Sequence, residues 1–157
     1  MGSGKSTVGR LLAVRTGYRF ADSDDEIEAR AHARVADIFG RQGEAAFREL
    51  ERQAISDLLK VERCVIATGG GAFAQTACAD DLLARSFTVH LACDFEETFR
   101  RATLLGGRPL LDRGERGAAD LYADRKDKYS RAHATVDTTH RSPDEVVSDI
   151  LRLLRHP

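Results

Sequence analysis

Apolar positions along the chain switch repeatedly between a helical and an extended period. After a glycine-rich start, Val8, Leu11 and Leu12 recur at helical steps, and the pattern stops at Gly17. Residues 18–21 read as a short extended segment, and residues 27–42 as helix in two pieces. Residues 44–60 place Phe47, Leu50, Ala54, Ile55, Leu58 and Leu59 on one face at steps of three and four, which predicts an amphipathic helix. Residues 64–67 are a brief apolar run ending in Thr68 and three glycines, which suits a buried strand. Residues 87–91 predict another strand. Asp94 follows as a cap, with Glu97 three residues later, and opens a helix to about Leu104. Residues 105–117 are rich in glycine and alternating charge and predict a mobile loop, with helix over 118–132 and strand over 135–137. Ser142-Pro143-Asp144-Glu145 is a second capping box, with proline at the first helical position of the last helix. Short strands separated by helices predict an α/β fold, a doubly wound parallel sheet flanked by helices.

Composition narrows the class without naming a chemistry. The 157 residues are 42% apolar and 31% charged, enough for one domain with its own core. With 24 basic against 25 acidic residues the net charge is −1, which argues against a nucleic-acid or membrane-surface binder. No apolar run approaches the roughly 18–20 residues of a membrane span, and the N-terminus lacks the layout of a signal peptide. Cys64, Cys78 and Cys93 form no C-x-x-C and read as reduced thiols of a cytoplasmic protein. The five histidines show no metal-ligand spacing.

Two stretches carry chemistry. Gly2-Ser3-Gly4-Lys5-Ser6-Thr7 is the back half of a phosphate-binding loop. Its glycines let backbone N–H groups curl around phosphate oxygens, Lys5 reaches the β- and γ-phosphates, and Ser6 suits Mg²⁺. Such a loop needs a strand and a first glycine before it, and the chain begins at Met1, too late to supply either. The expectation is a frame opened at an internal methionine, or a damaged kinase, with the central N-terminal strand absent. Asp22-Ser23-Asp24 offers two carboxylates two residues apart. On an extended stretch both would face a magnesium ion and an acceptor hydroxyl; alternatively Ser23 or Asp24 serves as a helix cap.

These stretches, with Ile27-Glu28, Ile38-Phe39, Gly43-Glu44, Phe47-Arg48, Glu51, Gly69-Gly70-Gly71 and Arg108-Pro109-Leu110-Leu111, resemble shikimate kinase in order and spacing from Gly2 to near the C-terminus. The resemblance implies a P-loop kinase fold over residues 1–157, a single domain with a lid at about 105–117. It implies transfer of the ATP γ-phosphate to the 3-hydroxyl of shikimate by a cytoplasmic monomer. It implies Asp24 as base and holder of the shikimate hydroxyls, Asp22 near Mg²⁺ with Ser6, and Lys5 and Arg108 at the transferring phosphate. Arg48 and Arg125 would grip the substrate carboxylate, and the backbone of Gly69, Gly70 and Gly71 would meet a ring hydroxyl. Arg101 and Pro143 would flank the adenine, with Arg141 nearby. Guanidinium forks suit a small acid, and a late-arriving lid arginine would stabilise charge and exclude water. One departure stands out: Arg125-Lys126-Asp127-Lys128-Tyr129 is charged where the family has an apolar Pro-Leu before the tyrosine. Rival readings are a kinase for another hydroxy acid such as gluconate, and a non-catalytic nucleotide-binding module.

Overall fold

The computed structural model describes residues 2–105 and 114–155. Element order is α1 (Lys5–Thr16), β1 (Arg19–Asp22), α2 (Ser23–Ala31), α3 (Val35–Leu58), β2 (Cys64–Ala67), a 3₁₀ turn (Ala72–Ala74), α4 (Thr76–Arg85), β3 (Val89–Ala92), α5 (Phe95–Leu105), α6 (Gly114–Tyr129), β4 (Ala134–Asp137) and α7 (Pro143–Arg155). The elements form two compact units. One comprises Met1–Leu11 with Thr88–Pro157, the other Leu12–Phe87.

In the unit Leu12–Phe87, β1 and β2 pair in parallel, Arg19 opposite Cys64 and Asp22 opposite Ala67. Parallel strands cannot be joined by a tight turn, and α2 and α3 supply the crossover. Ile27 of α2 packs with Ile38, Phe47 and Ala54 of α3 in one buried cluster. Ile55 of α3 packs with Ala72, Cys78 and Leu82 in a second. Both clusters draw on the face predicted over 44–60. α3 is broken at Gly43, whose φ of 80° and ψ of 175° only glycine adopts without strain, so the predicted division into pieces is present. β2 coincides with the predicted strand, yet Cys64, Val65 and Ile66 are half-exposed and only Ala67 is buried. Among the described residues β2 has a strand neighbour on one edge only, so an apolar run that reads as fully covered is covered in part.

In the other unit, β3 and β4 pair in parallel, Val89 opposite Ala134 and Ala92 opposite Asp137. The strand begins two residues later than predicted, because Thr88 is engaged by His133: its N–H and hydroxyl lie 3.1 and 2.9 Å from His133 Nδ1. α7 opens on the predicted capping box. The Ser142 N–H and hydroxyl donate to Glu145 Oε2 at 2.8 and 2.6 Å, and Val146, Val147 and Ile150 are buried. α5 begins where predicted, but Glu97 does not reach back to its cap. Its carboxylate instead accepts from Arg100 and Arg101. α6 starts at Gly114, inside the predicted loop, and ends at Tyr129, not at 132. The glycines at 114 and 117 masked the helical character of the residues between them. The rest of the predicted loop, residues 106–113, lies outside the described residues. Among the described residues α1 is the first element, and no helix is long and apolar enough to cross a membrane.

Candidate functional site

In the unit Leu12–Phe87 the chain leaves β1 at Asp22 and turns directly into α2. Asp22 is the N-cap: it has extended backbone, and its Oδ1 accepts from the Asp24 N–H at 3.1 Å. Asp24 therefore stands in the first turn of a helix. Neither the expected extended pair of carboxylates nor a cap at Ser23 or Asp24 is what forms, because the cap falls one residue earlier. Ser23 is fully buried, and its hydroxyl accepts the Gly69 N–H at 2.8 Å. That bond fastens the head of α2 to the glycine triplet after β2.

The triplet is bare for a steric reason. A Cβ on Gly69 would lie 2.6 Å from Asp24 Oδ1 and 2.8 Å from Glu51 Oε1. A Cβ on Gly71 would run into Arg48 Nη1 and sit 2.6 Å from Nη2. Two carboxylates thus converge on the first glycine and a guanidinium on the third, and only backbone fits between them. Arg48 is held on three sides. Its Nη1 pairs with Glu51 Oε2 at 2.7 Å, its Nη2 with Glu44 Oε1 at 3.0 Å, and its guanidinium lies 5.4 Å from the centre of the Phe47 ring. Burial works against its charge, but Glu51 and Glu44 more than offset it and raise its pKa above the ordinary arginine value. Glu51 is only 1% exposed, and its Oε2 also accepts from Gln75 Nε2 at 2.7 Å. The proximity of Arg48 to both glutamates follows from helical spacing. Gln75 was not foreseeable: it is separated from Glu51 by 24 residues.

The unit that contains the N-terminus carries the other candidates. Gly2 has a φ of +71°, and a Cβ there would lie 2.5 Å from the Thr98 carbonyl oxygen, so this position needs glycine twice over. Ser3 is buried, Lys5 is the first residue of α1, and Ser6 and Thr7 are exposed in its first turn. That turn holds no acidic residue, which leaves the positive end of the helix dipole available to an anion. His90 on β3 has its pKa lowered by burial and, second, by the positive charge of Lys5. Arg101 on α5 is fixed by Glu97 Oε1 at 2.7 Å and the Thr138 carbonyl at 3.0 Å. Arg100 and then Arg101 hold the Glu97 carboxyl down to about 2. Arg141 pairs with Asp149 Oδ2 at 2.7 Å and donates to the Asp137 carbonyl. Pro143 opens α7, and Arg125 is half-buried on α6. Arg108 lies outside the described residues. The structure therefore groups Asp24, Arg48, Gly69 and Gly71 within one unit, and the phosphate loop with Arg101 and Arg141 within the other.

Comparison with known proteins is consistent across the chain. The family model described as shikimate kinase matches residues 1–155. A shikimate kinase of Chromohalobacter salexigens is 43% identical over 97% of this chain and 86% of its own length. Among solved structures, a shikimate kinase from Acinetobacter baumannii in complex with shikimate superposes with a TM-score of 0.93 at 36% identity, covering 99% of this chain and 88% of that one. A shikimate kinase from Aquifex aeolicus superposes with a TM-score of 0.84, also at 36% identity, over 99% of this chain and 91% of that one.

Proposed function

The chain belongs to the shikimate kinase family, with the α/β fold of a P-loop kinase and an ATP-dependent phosphotransferase activity, and from that premise we propose how its residues divide the work. The substrate is shikimate, its 3-hydroxyl is the acceptor, and the γ-phosphate of ATP is the group transferred. The observation that carries the assignment is the bare backbone strip at Gly69 and Gly71, with the Asp24 carboxylate against one end and the Arg48 guanidinium against the other. A small carboxylated polyol needs such an arrangement: a fork for its acid, a proton acceptor for its hydroxyl, and backbone close enough to meet the ring.

Arg48, together with Arg125, holds the substrate carboxylate. Its Nε and Nη2 edge already meets one carboxylate oxygen, of the exposed Glu44, at 3.3 and 3.0 Å. Asp24 orients the acceptor hydroxyl and takes its proton as the oxygen attacks phosphorus. Gly70 lies between the two glycines that approach the site and offers backbone to a ring hydroxyl. Gly2, Ser3, Gly4, Lys5, Ser6 and Thr7 cradle the phosphates, and Arg101, Arg141 and Pro143 line the nucleoside. Lys5 and Arg108 meet the charge that develops on the transferring phosphoryl.

Among the described residues no three His, Cys, Asp or Glu side chains cluster as a metal site. That fits Mg²⁺, which usually takes one or two protein oxygens and completes its shell with water and phosphate. The Ser6 hydroxyl and the Asp22 carboxylate are hard oxygen donors of the right kind to hold it. When bound, the ion neutralises phosphate charge. The enzyme is read as a cytoplasmic monomer acting as one domain.

Coupled measurement of ADP release with Mg-ATP tests the assignment. Release is expected to depend on shikimate and to stay at background with gluconate; release driven by gluconate would overturn the substrate assignment. A second test addresses the strip itself. The backbone at Gly71 (φ −98°, ψ −17°) accepts alanine, and the obstructing atoms are the end of a flexible side chain. Gly71→Ala is therefore expected to keep the fold while pushing the Arg48 guanidinium aside, raising the KM for shikimate roughly tenfold to a hundredfold. An unchanged KM would show that Arg48 need not stand where it does.

A further inference from the structure

We infer that Gln75 is a positioning residue for substrate binding, acting on Arg48 through the buried carboxylate of Glu51. The inference rests on the reading of Arg48 as the carboxylate grip.

Glu51 Oε2 receives two hydrogen bonds of equal length, 2.7 Å from Arg48 Nη1 and 2.7 Å from Gln75 Nε2. The two donors differ in kind. Arg48 sits on the same helix and reaches Glu51 across one turn, so its side chain alone does not fix where the carboxylate points. Gln75 comes from another element and is held on both sides: its N–H donates to the Ala72 carbonyl at 3.2 Å, and its carbonyl accepts the Ala79 N–H at 2.9 Å, at the head of α4. The backbone of Gln75 is thus anchored to the segment that follows the glycine triplet, and from there its side-chain amide reaches Glu51. It fixes the Glu51 oxygen relative to Gly71, the residue over which the guanidinium must lie.

Chemistry explains why the donor is an amide. Oε2 has two lone pairs, and in a site this buried an unfilled one is costly. A second cation would fill it but would repel the Arg48 guanidinium from its place. A neutral amide fills it without competing. The other partner of Arg48, Glu44, is 67% exposed and screened, so the buried side of the clamp decides the position of the fork.

Gln75→Leu keeps the bulk and removes the donor. It is expected to raise the KM for shikimate roughly threefold to thirtyfold, as for a lost bond to a buried charged group, with the KM for ATP unchanged. In an Arg48→Ala background the same change should add nothing further, since it acts through Arg48. A normal shikimate KM in folded Gln75→Leu, or full additivity with Arg48→Ala, overturns the role of Gln75. Should Gln75→Leu not fold, Gln75→Asn draws the amide back by one methylene and is expected to raise the same KM; no rise is equally fatal. An unaltered KM in Arg48→Ala alone would instead remove the reading on which this one rests.

Discussion

Asp24→Asn is expected to lower kcat about 10²- to 10⁴-fold while leaving ATP affinity as it was. The substitution is close to isosteric, and the bond from the Asp24 backbone N–H to Asp22 Oδ1, which starts α2, does not involve the changed atoms. The buried Ser23 hydroxyl would still receive the Gly69 N–H, so the head of the helix stays fastened to the glycine triplet. What disappears is a proton acceptor against Gly69. The phosphate-loop residues from Gly2 to Thr7 keep their own side chains and belong to the other unit. Steady-state kinetics with shikimate, paired with a nucleotide titration, checks both halves. Unchanged turnover would remove Asp24 from the proton transfer. A parallel loss of ATP binding would show that it acts on the nucleotide.

Arg48→Ala acts on the other parameter. Loss of the fork is expected to raise the KM for shikimate by the equivalent of about 2–5 kcal/mol, with kcat much less affected where saturation can be reached. The same change takes from Glu51, 1% exposed, the 2.7 Å bond of its paired cation, so the thermal midpoint should fall as well. Kinetics therefore belong well below that midpoint, where a rise in KM reports binding and not the folded fraction. If KM holds steady while stability drops, Arg48 serves the core and another residue takes the acid.

Much of this arrangement is written in local sequence. The phosphate loop opens a helix as its residues require. The capping box at Ser142 forms with Pro143 leading the helix, and the strand over residues 64–67 is where its apolar run places it. Local rules succeed at the helix starts because partners there are within four residues of one another, and at the strand because its unbroken apolar run is itself the signal. They fail where two local solutions compete. Asp22, Ser23 and Asp24 can all cap a helix, and the pairing of β1 with β2 through Asp22 and Ala67 decides that the first of them does. Glu97 is spaced to reach back to its cap, but two arginines one turn ahead offer charge-assisted bonds, and it takes those. The grip on Glu51 is a third kind of case. The partners of Arg48 are legible as helical neighbours, whereas Gln75 meets Glu51 only because α4 returns to α3 after the triplet. No pattern within either segment announces it. The family resemblance names the candidates; that Asp24, Arg48 and the glycines stand against one another is a matter of tertiary contact.

The break at Gly43 has a consequence for how this chain tolerates changes in length. Each residue added to a helix turns everything beyond it by about 100°. Past the break, Phe47, Glu51, Ala54, Ile55 and Leu58 are buried together, and Arg48 keeps its phase only in step with them. An insertion between Arg48 and Glu51 would carry the guanidinium to the wrong side of its own helix relative to the buried face beyond it. Immediately before Gly43, where the helical phase is already interrupted, an extra residue leaves that spacing intact. Insertions and deletions should accordingly be survivable on the upstream side of this glycine and lethal to substrate binding between Arg48 and Glu51, although only a few residues separate the two.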